Sequence, residues 1–378
     1  VSDYAVELLA ELGLRSKVRV LRPPGWSRPD EWPLHDTVEL VPTRTEAEPD
    51  EWSLIHLGNN PHHLWLLDRL TTPRTVIVLH DLVLHHLLVE ATVAAGDDRQ
   101  LEEKLNAAHG DRGSVLARAR RLGQFGSRDP FLFPARSCFL QSAAGAVVHS
   151  KWAKDLISDE RPDLPIVCAG LPAIDPGAVD RDAERARLGL SDDDVVLMHL
   201  GFMTPEKGLS EILAGVAAAN RAGVPVRLML VGEGEGSEAV TAAADTIGIG
   251  DRVSTAGWLP AREFLCAPSA ADLGVVLRTP SAGETSAAAI RFLACGTPVA
   301  VGGVRQFLEW PESAAPRITP GPSAAADLAR VLSEAAASGE GWAVRREAAR
   351  AAYEAHHRPA KTADTMIEFL ASISSVSP

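Results

Sequence analysis

Val195-Val196-Leu197-Met198-His199-Leu200-Gly201-Phe202-Met203-Thr204-Pro205-Glu206-Lys207-Gly208 is the stretch whose reading decides the fold. It opens as an apolar run, interrupted only by His199, of the kind expected of a parallel strand covered on both faces. A glycine turn follows. Past Pro205, Leu209, Ile212, Leu213 and Val216 keep the i, i+3, i+4, i+7 spacing of one buried helix face. Strand, turn and helix together read as half of a βαβ unit.

The same alternation extends in both directions. Strands are predicted at 17–21, 37–41, 53–57, 75–79, 145–149 and 165–169, and then at 195–200, 226–231, 252–256, 273–277 and 298–301. Helix-forming segments lie between them, so the expectation is an α/β chain with doubly wound, Rossmann-like domains. The Pro- and Gly-containing stretch 170–177 marks the boundary, followed by a charged helix start at 180–187. This predicts a first domain over 1–170 with a polar helical insertion at about 92–136, and a second over 171–359. A last helix over 360–378 is free to pack on either domain, including back on the first.

Composition narrows the function. The chain has 378 residues, with 37 Lys+Arg against 50 Asp+Glu and a net charge of -13, which argues against a general nucleic-acid or anionic-membrane binder. The 8 Trp are dispersed and form no stacking stripe for single-stranded nucleic acid. Four scattered Cys form no C-x-x-C pair, which fits a reducing, cytoplasmic setting. No apolar run approaches the ~20 residues of a membrane span.

Ligands of open parallel sheets bind beyond the carboxyl ends of the strands. In the first domain those ends read Leu57-Gly58-Asn59-Asn60, Leu79-His80-Asp81 and Val148-His149-Ser150. In the second they read Leu200-Gly201-Phe202, Val231-Gly232-Glu233-Gly234 and Leu277-Arg278, which leads into Gly283-Glu284-Thr285-Ser286. Glycine and polar groups at both edges suggest two crevices facing one another across a ligand. Gly283-Glu284-Thr285-Ser286 opens a helix, where free N–H groups and the positive dipole end favour an anion. Thr285 and Ser286 add hydroxyls and Glu284 a carboxylate; the plainer alternative is a helix capped by Thr285 or Ser286 with no ligand. Lys207 would bring an ammonium to the same edge.

Segments 201–208 and 283–299 together resemble the donor domain of glycosyltransferase family 4, the retaining nucleotide-sugar enzymes of GT-B fold, in its Gly-Glu-Thr-Ser subgroup. The resemblance also runs through Leu230-Val231-Gly232-Glu233-Gly234, Asp251-Arg252-Val253, Gly257-Trp258 and Ala271-Asp272. In the first domain it includes His56-Leu57-Gly58-Asn59-Asn60, Leu79-His80-Asp81 and Val148-His149-Ser150-Lys151-Trp152. It implies two facing Rossmann-like domains and transfer of a sugar from a nucleoside diphosphate sugar to an unidentified acceptor. No cofactor or metal is implied. By the same resemblance Gly201, Lys207, Gly283, Thr285 and Ser286 hold donor phosphate and sugar, and Gly257 and Trp258 line the nucleobase. Glu284 accepts from sugar hydroxyls, His80 sits near the reacting sugar, and Asn59 and Asp81 lie on the acceptor side.

Two departures stand out. The family's second Glu, seven residues after Glu284, is Arg291 here, and Phe202 stands where many relatives carry Arg. Arg278 or Arg291 would restore charge beside the diphosphate. Val1 begins the chain at what resembles the family's first helix, Ser2-Asp3-Tyr4-Ala5-Val6-Glu7-Leu8-Leu9, so the resemblance implies that the first strand of the N-terminal domain is missing. His80-Asp81 with His85-His86 hints at a metal, but no ligand spacing completes a zinc pattern. Alternatives are another GT-B activity, a nucleotide-sugar epimerase or phosphorylase, and a catalytically silent sugar-nucleotide-binding protein.

Overall fold

A computed structural model describes residues 3–23, 25–26, 35–72, 74–234, 236–337 and 339–374. Ser2, at the start of the expected first helix, and 375–378, at the end of the expected last helix, lie outside the described residues. The chain divides into two units. One comprises Val1–Gly170, Ala282–Thr285 and Ala360–Pro378, the other Leu171–Ser281 and Ser286–Pro359.

The first unit carries β1 (Val18–Arg22), β2 (Val38–Pro42), β3 (Ser53–Leu57), β4 (Thr75–Leu79), β5 (Gly145–Val148) and β6 (Ile166–Cys168). β1 and β2 pair in parallel as a sheet of their own, and β3-β4-β5-β6 form a second parallel sheet in chain order. β4 and β5 are buried along their whole length, which is why they read as unbroken apolar runs. The polar insertion folds into helices Asp98–His109 and Asp111–Arg121. These pack tightly because Gly113 has no Cβ, which would lie 2.0 Å from the Leu105 carbonyl oxygen. Its basic cluster is used internally, Arg118 and Arg121 each pairing with Glu102 at 2.9 Å and Arg120 covering Phe125. The last helix, Pro359–Ser374, ties into this unit through Thr362 on the Gly170 carbonyl at 2.7 Å and Phe369 against Gly145.

The second unit carries β7 (Val195–Leu200), β8 (Val226–Val231), β9 (Val253–Gly257), β10 (Leu273–Val276), β11 (Val299–Gly302) and β12 (Arg317–Ile318). All pair in parallel, in the order β12-β11-β10-β7-β8-β9. On one face, Ile212, Leu213 and Val216 pack with Leu328, Val331 and Leu332 of helix Ala324–Ala337. Gly215 permits that approach, since a Cβ there would meet Leu328 at 2.7 Å. The expected strands appear with ends shifted by no more than one residue; β12, two residues long, is too short to leave a periodicity.

Candidate functional site

Strand order locates the site in the second unit. From β7 the chain steps outward to β8 and β9, then returns to lay β10, β11 and β12 on β7's other side. The reversal falls between β7 and β10, and a crevice opens beyond the carboxyl ends where neighbouring connections part in opposite directions. The two loops bordering it are 201–208 after β7 and 277–281 after β10.

Glycines let these turns close on one another. Gly201 has φ +103°, and a Cβ on Gly232 would lie 2.6 Å from the Gly201 carbonyl oxygen, so the turns after β7 and β8 touch through bare backbone. Gly208, at φ +65°, packs its α-carbon against Leu277, where a Cβ would come within 2.9 Å. The Thr279 N–H donates to the Glu206 carbonyl at 3.1 Å, tying the β10 loop to the turn that carries Lys207. Gly257 ends β9 at φ +64°, and the following Trp258 N–H donates to Glu233 Oε1 at 3.3 Å. Phe202 and Trp258 are both 71 % exposed, so this edge carries two solvent-accessible aromatic side chains.

The electrostatics of the crevice are read through His199, which is buried at the end of β7. Its pKa is pushed down to about 4, first by burial, then by the nearby Lys207 ammonium, with Arg278 adding to the effect. Neither ring nitrogen has a hydrogen bond of ordinary geometry, although backbone groups of Phe202 and Val275 lie close enough to oppose the shift in part. A neutral histidine therefore lies within the electrostatic reach of two cations, one from each side of the strand-order reversal.

Ser286 caps helix Ala287–Ala294, its Oγ accepting from the Ala289 N–H at 3.3 Å. The cap uses an oxygen lone pair and leaves the hydroxyl hydrogen to donate elsewhere. Arg291 is buried on this helix with its guanidinium 5.5 Å from the Phe264 ring centroid. One part of the expected second domain behaves differently: 282–285, including Gly283, Glu284 and Thr285, groups with the first unit. The Ala282 carbonyl accepts from the N–H groups of Leu82 at 2.8 Å and Val83 at 3.2 Å. Gly283 (φ +80°) rests on Leu82, where a Cβ would meet the side chain at 2.8 Å.

The first unit's strand ends hold a different constellation. Register places His56 beside Val78 and Val78 beside Val147. Side chains alternate faces along a strand, so His80 and His149, two residues further on, point to the same face as His56. His56 Nδ1 lies 3.1 Å from His80 Nε2, and Tyr4 packs edge-on against His56, His80 and His149 at centroid distances of 5.3, 4.8 and 5.5 Å. Burial, then the neighbouring histidines, pushes the pKa of His56 down to about 3 and that of His80 well below its ordinary value. His149 falls to about 4 by burial, opposed by its bond to the Ala169 carbonyl at 2.9 Å. Asp81 Oδ2 accepts from the Asn59 N–H at 2.7 Å, and Asn59 Oδ1 from the Leu87 N–H at 3.1 Å, so the pair ties the loops after β3 and β4.

His85 does not join His80. Its Nδ1 bonds the Phe133 carbonyl at 2.8 Å beneath the helical insertion, and His86 is exposed near Glu90. Among the described residues no group of three or more His, Cys, Asp or Glu is arranged to hold a metal ion. The convergence of His56, His80 and His149 was missed from sequence alone, although a histidine at three successive strand ends was the available signal.

Two Rossmann-like α/β units of parallel strands place this chain in the GT-B class of fold. No family model matches it. It is similar to the D-inositol 3-phosphate glycosyltransferase of Segniliparus rotundus, 38% identical over 144 residues, 35% of this chain and 31% of that protein. It is also similar to the 2-deoxystreptamine glucosyltransferase of Streptomyces kanamyceticus, 29% identical over 201 residues, 51% of each. The chain thus spans about a third and about half of the length of these curated relatives. Among solved structures, sucrose-phosphate synthase from Thermosynechococcus elongatus matches with TM-score 0.66 and 18% identity over 98% of this chain and 92% of that one. Anabaena HepE in complex with UDP matches with TM-score 0.57 and 17% identity, over 85% of this chain and 100% of that one. These structural likenesses speak to the fold. No helix among the described residues is long and apolar enough to cross a membrane.

Proposed function

We propose that the chain is a retaining glycosyltransferase of the family 4 type, moving a sugar from a nucleoside diphosphate sugar to an acceptor. The observation that carries the reading is that Lys207 and Arg278, on the two loops that flank the β7/β10 reversal, both act on the buried His199 between them in the sheet edge. In the transfer, the bond from the anomeric carbon to the β-phosphate oxygen breaks and negative charge collects on the leaving diphosphate. Fixed cations and backbone N–H groups of the Gly201 turn stabilise that charge without reorganising as it forms. Depressed as it is, His199 stays neutral at pH 7 and does not add a third charge of its own.

Gly257 and Trp258 lie at the end of β9, two strands from β7 on the same sheet edge, in keeping with a nucleobase site. The neighbour solved with UDP and the two glycosyltransferase names favour the same reading and make uridine nucleotides the first donors to test. Retention follows from front-side displacement: the acceptor hydroxyl attacks the face the diphosphate leaves, and its proton passes to the departing phosphate oxygen. Glu284 is assigned to donor-sugar hydroxyls, Gly283, Thr285 and Ser286 to its phosphate and sugar, and His80, Asn59 and Asp81 to the acceptor side. His80 and its neighbours are held neutral, which suits hydrogen bonding to hydroxyls better than ion pairing. Arg291 is the remaining candidate for the diphosphate or ribose.

The test is calorimetric titration of UDP and UDP-sugars into wild type and Lys207→Ala, with turnover measured on the two molecules for which the curated relatives are named and on a wider acceptor panel. The expected result is at least tenfold weaker UDP binding and a ~10²–10³-fold loss of transfer with the fold retained. Equal binding and turnover in the variant would remove the donor site from this crevice.

A further inference from the structure

At the opposite, amino-terminal end of the same sheet, the second unit holds a hollow of about 340 Å³. Its wall is built by the residues before β10 and β11 (Ser269, Cys295) and by helix Glu340–His356, with Arg181 reaching in from helix Arg181–Arg187. Three arginines line it: Arg181, Arg346 and Arg350. Two are neutralised by neighbours. Arg181 pairs with Asp272 at 2.6 Å, and Arg350 with Asp175 and, at 2.9 Å, with Glu354.

Arg346 is the exception. Its one hydrogen bond among the described residues is a long one, 3.4 Å to the Ala271 carbonyl, and it makes no ion pair among them. A guanidinium offers five N–H donors, so most of its capacity is unused. It is also half-buried and close to Arg181, both of which weaken its hold on its proton, while the Asp272 carboxylate that pairs with Arg181 opposes the shift in part. Asp272 spends its carboxylate on Arg181, so the donors of a partly desolvated Arg346 are left for an anion from outside the chain. In a chain of net charge -13 such an arrangement is not general positive surface. Cys295 does not compete for the role: burial pushes its thiol up to about 12, so it is neutral at pH 7.

We propose that this hollow is a second ligand site, separate from the β7/β10 crevice, which takes a small phosphate-bearing molecule with its phosphate on Arg346 and flanked by Arg181 and Arg350. Arg346 provides the fork-shaped, bidentate contact that phosphate oxygens accept. The volume exceeds that of a bare phosphate and falls at the lower end of small-molecule sites, so a compact phosphate monoester fits the chemistry and the space. The exposed Glu347 on the rim is the one acidic residue lining the hollow.

Inorganic phosphate and glucose 6-phosphate, titrated into the full chain at constant ionic strength against chloride, test the site by melting temperature and calorimetry. Ligand binding to the native state raises the melting temperature by mass action. Lys207→Ala separates this site from the crevice: the phosphate response is expected to survive in that variant and to weaken at least tenfold in Arg346→Gln. Glu347→Gln, at an exposed position that leaves folding intact, is expected to tighten phosphate two- to fivefold. Tighter binding of the ester than of inorganic phosphate assigns the rest of the hollow to the organic part, and equal binding assigns the site to phosphate itself. A response unchanged in Arg346→Gln, or abolished by Lys207→Ala, overturns the proposal. If Arg346→Gln does not fold, an unaltered affinity in Glu347→Gln overturns it alone.

Discussion

The carboxyl edges of the two sheets are built from the same strand-turn-helix grammar and end in opposite chemistry. In the second unit, glycine turns at β7, β8 and β9 strip the edge to backbone, and the strand-order reversal at β7/β10 sets Lys207 and Arg278 within electrostatic reach of a buried histidine. In the first unit, β3 to β6 follow chain order without reversal, and the edge is filled by His56, His80 and His149 packed on Tyr4. One edge is arranged to hold charge and the other to stay neutral. The lesson is that the fold supplies a position for a ligand, while strand order and side-chain packing decide which kind.

Experiments that break this contrast rank by expected size. The largest is loss of the cations. Arg278→Ala, like Lys207→Ala, is expected to lower transfer ~10²–10³-fold, or about 3–4 kcal/mol, with circular dichroism unchanged. A fully active Arg278→Ala would remove Arg278 from the donor site. Next is the backbone that positions Lys207. Gly208→Ala forces a Cβ into left-handed backbone and to within 2.9 Å of Leu277, and is expected to cost ~1–3 kcal/mol in denaturant unfolding. A neutral result would show that the turn relaxes freely.

The pH dependence sharpens the contrast further. Above about pH 6.5 these histidines are neutral in both folded and unfolded chains and contribute nothing. As pH falls below that, the unfolded chain takes up protons that the folded chain refuses until about 4 for His149 and His199 and about 3 for His56. Stability should therefore fall with pH across that window, by ~1.4 kcal/mol per pH unit for each histidine that resists protonation. His149→Gln should flatten the slope by about one such increment while leaving UDP affinity unchanged, as read from urea unfolding at pH 7 and pH 5 and from calorimetry. An unchanged slope would mean that His149 protonates normally. The smallest effect is Ser286→Ala, which removes the helix cap seen at Ala289 and is expected to lower stability by ~1 kcal/mol, seen as a drop of a few degrees in melting temperature. No drop would mean that the hydroxyl is not acting as a cap.

Much of this was legible in local pattern. Strands β4 and β7 appear over the expected residues because a strand buried along its whole length must be almost entirely apolar. The glycines at 201 and 283 read as turns, and both have positive φ. Lys207 and Arg278 could be named as edge cations, but their joint action on His199 could not, because it depends on β10 returning to pair with β7. The histidine that follows His80 in the chain is His85, whereas the fold pairs His80 with His56, 24 positions away.

The sequence by itself determined where strands, turns and helices lie and which side chains stand at strand ends. These follow from periodicity and backbone allowance, which act over a few residues. The tertiary structure alone decided the strand order, the neutral histidine cluster, the grouping of 282–285 with the first unit and the arginine-lined hollow at the far end of the second sheet. Each depends on contacts between residues far apart in the chain, and burial and the field of neighbouring charges, which set the chemistry of His199 and Arg346, exist only once those contacts have formed.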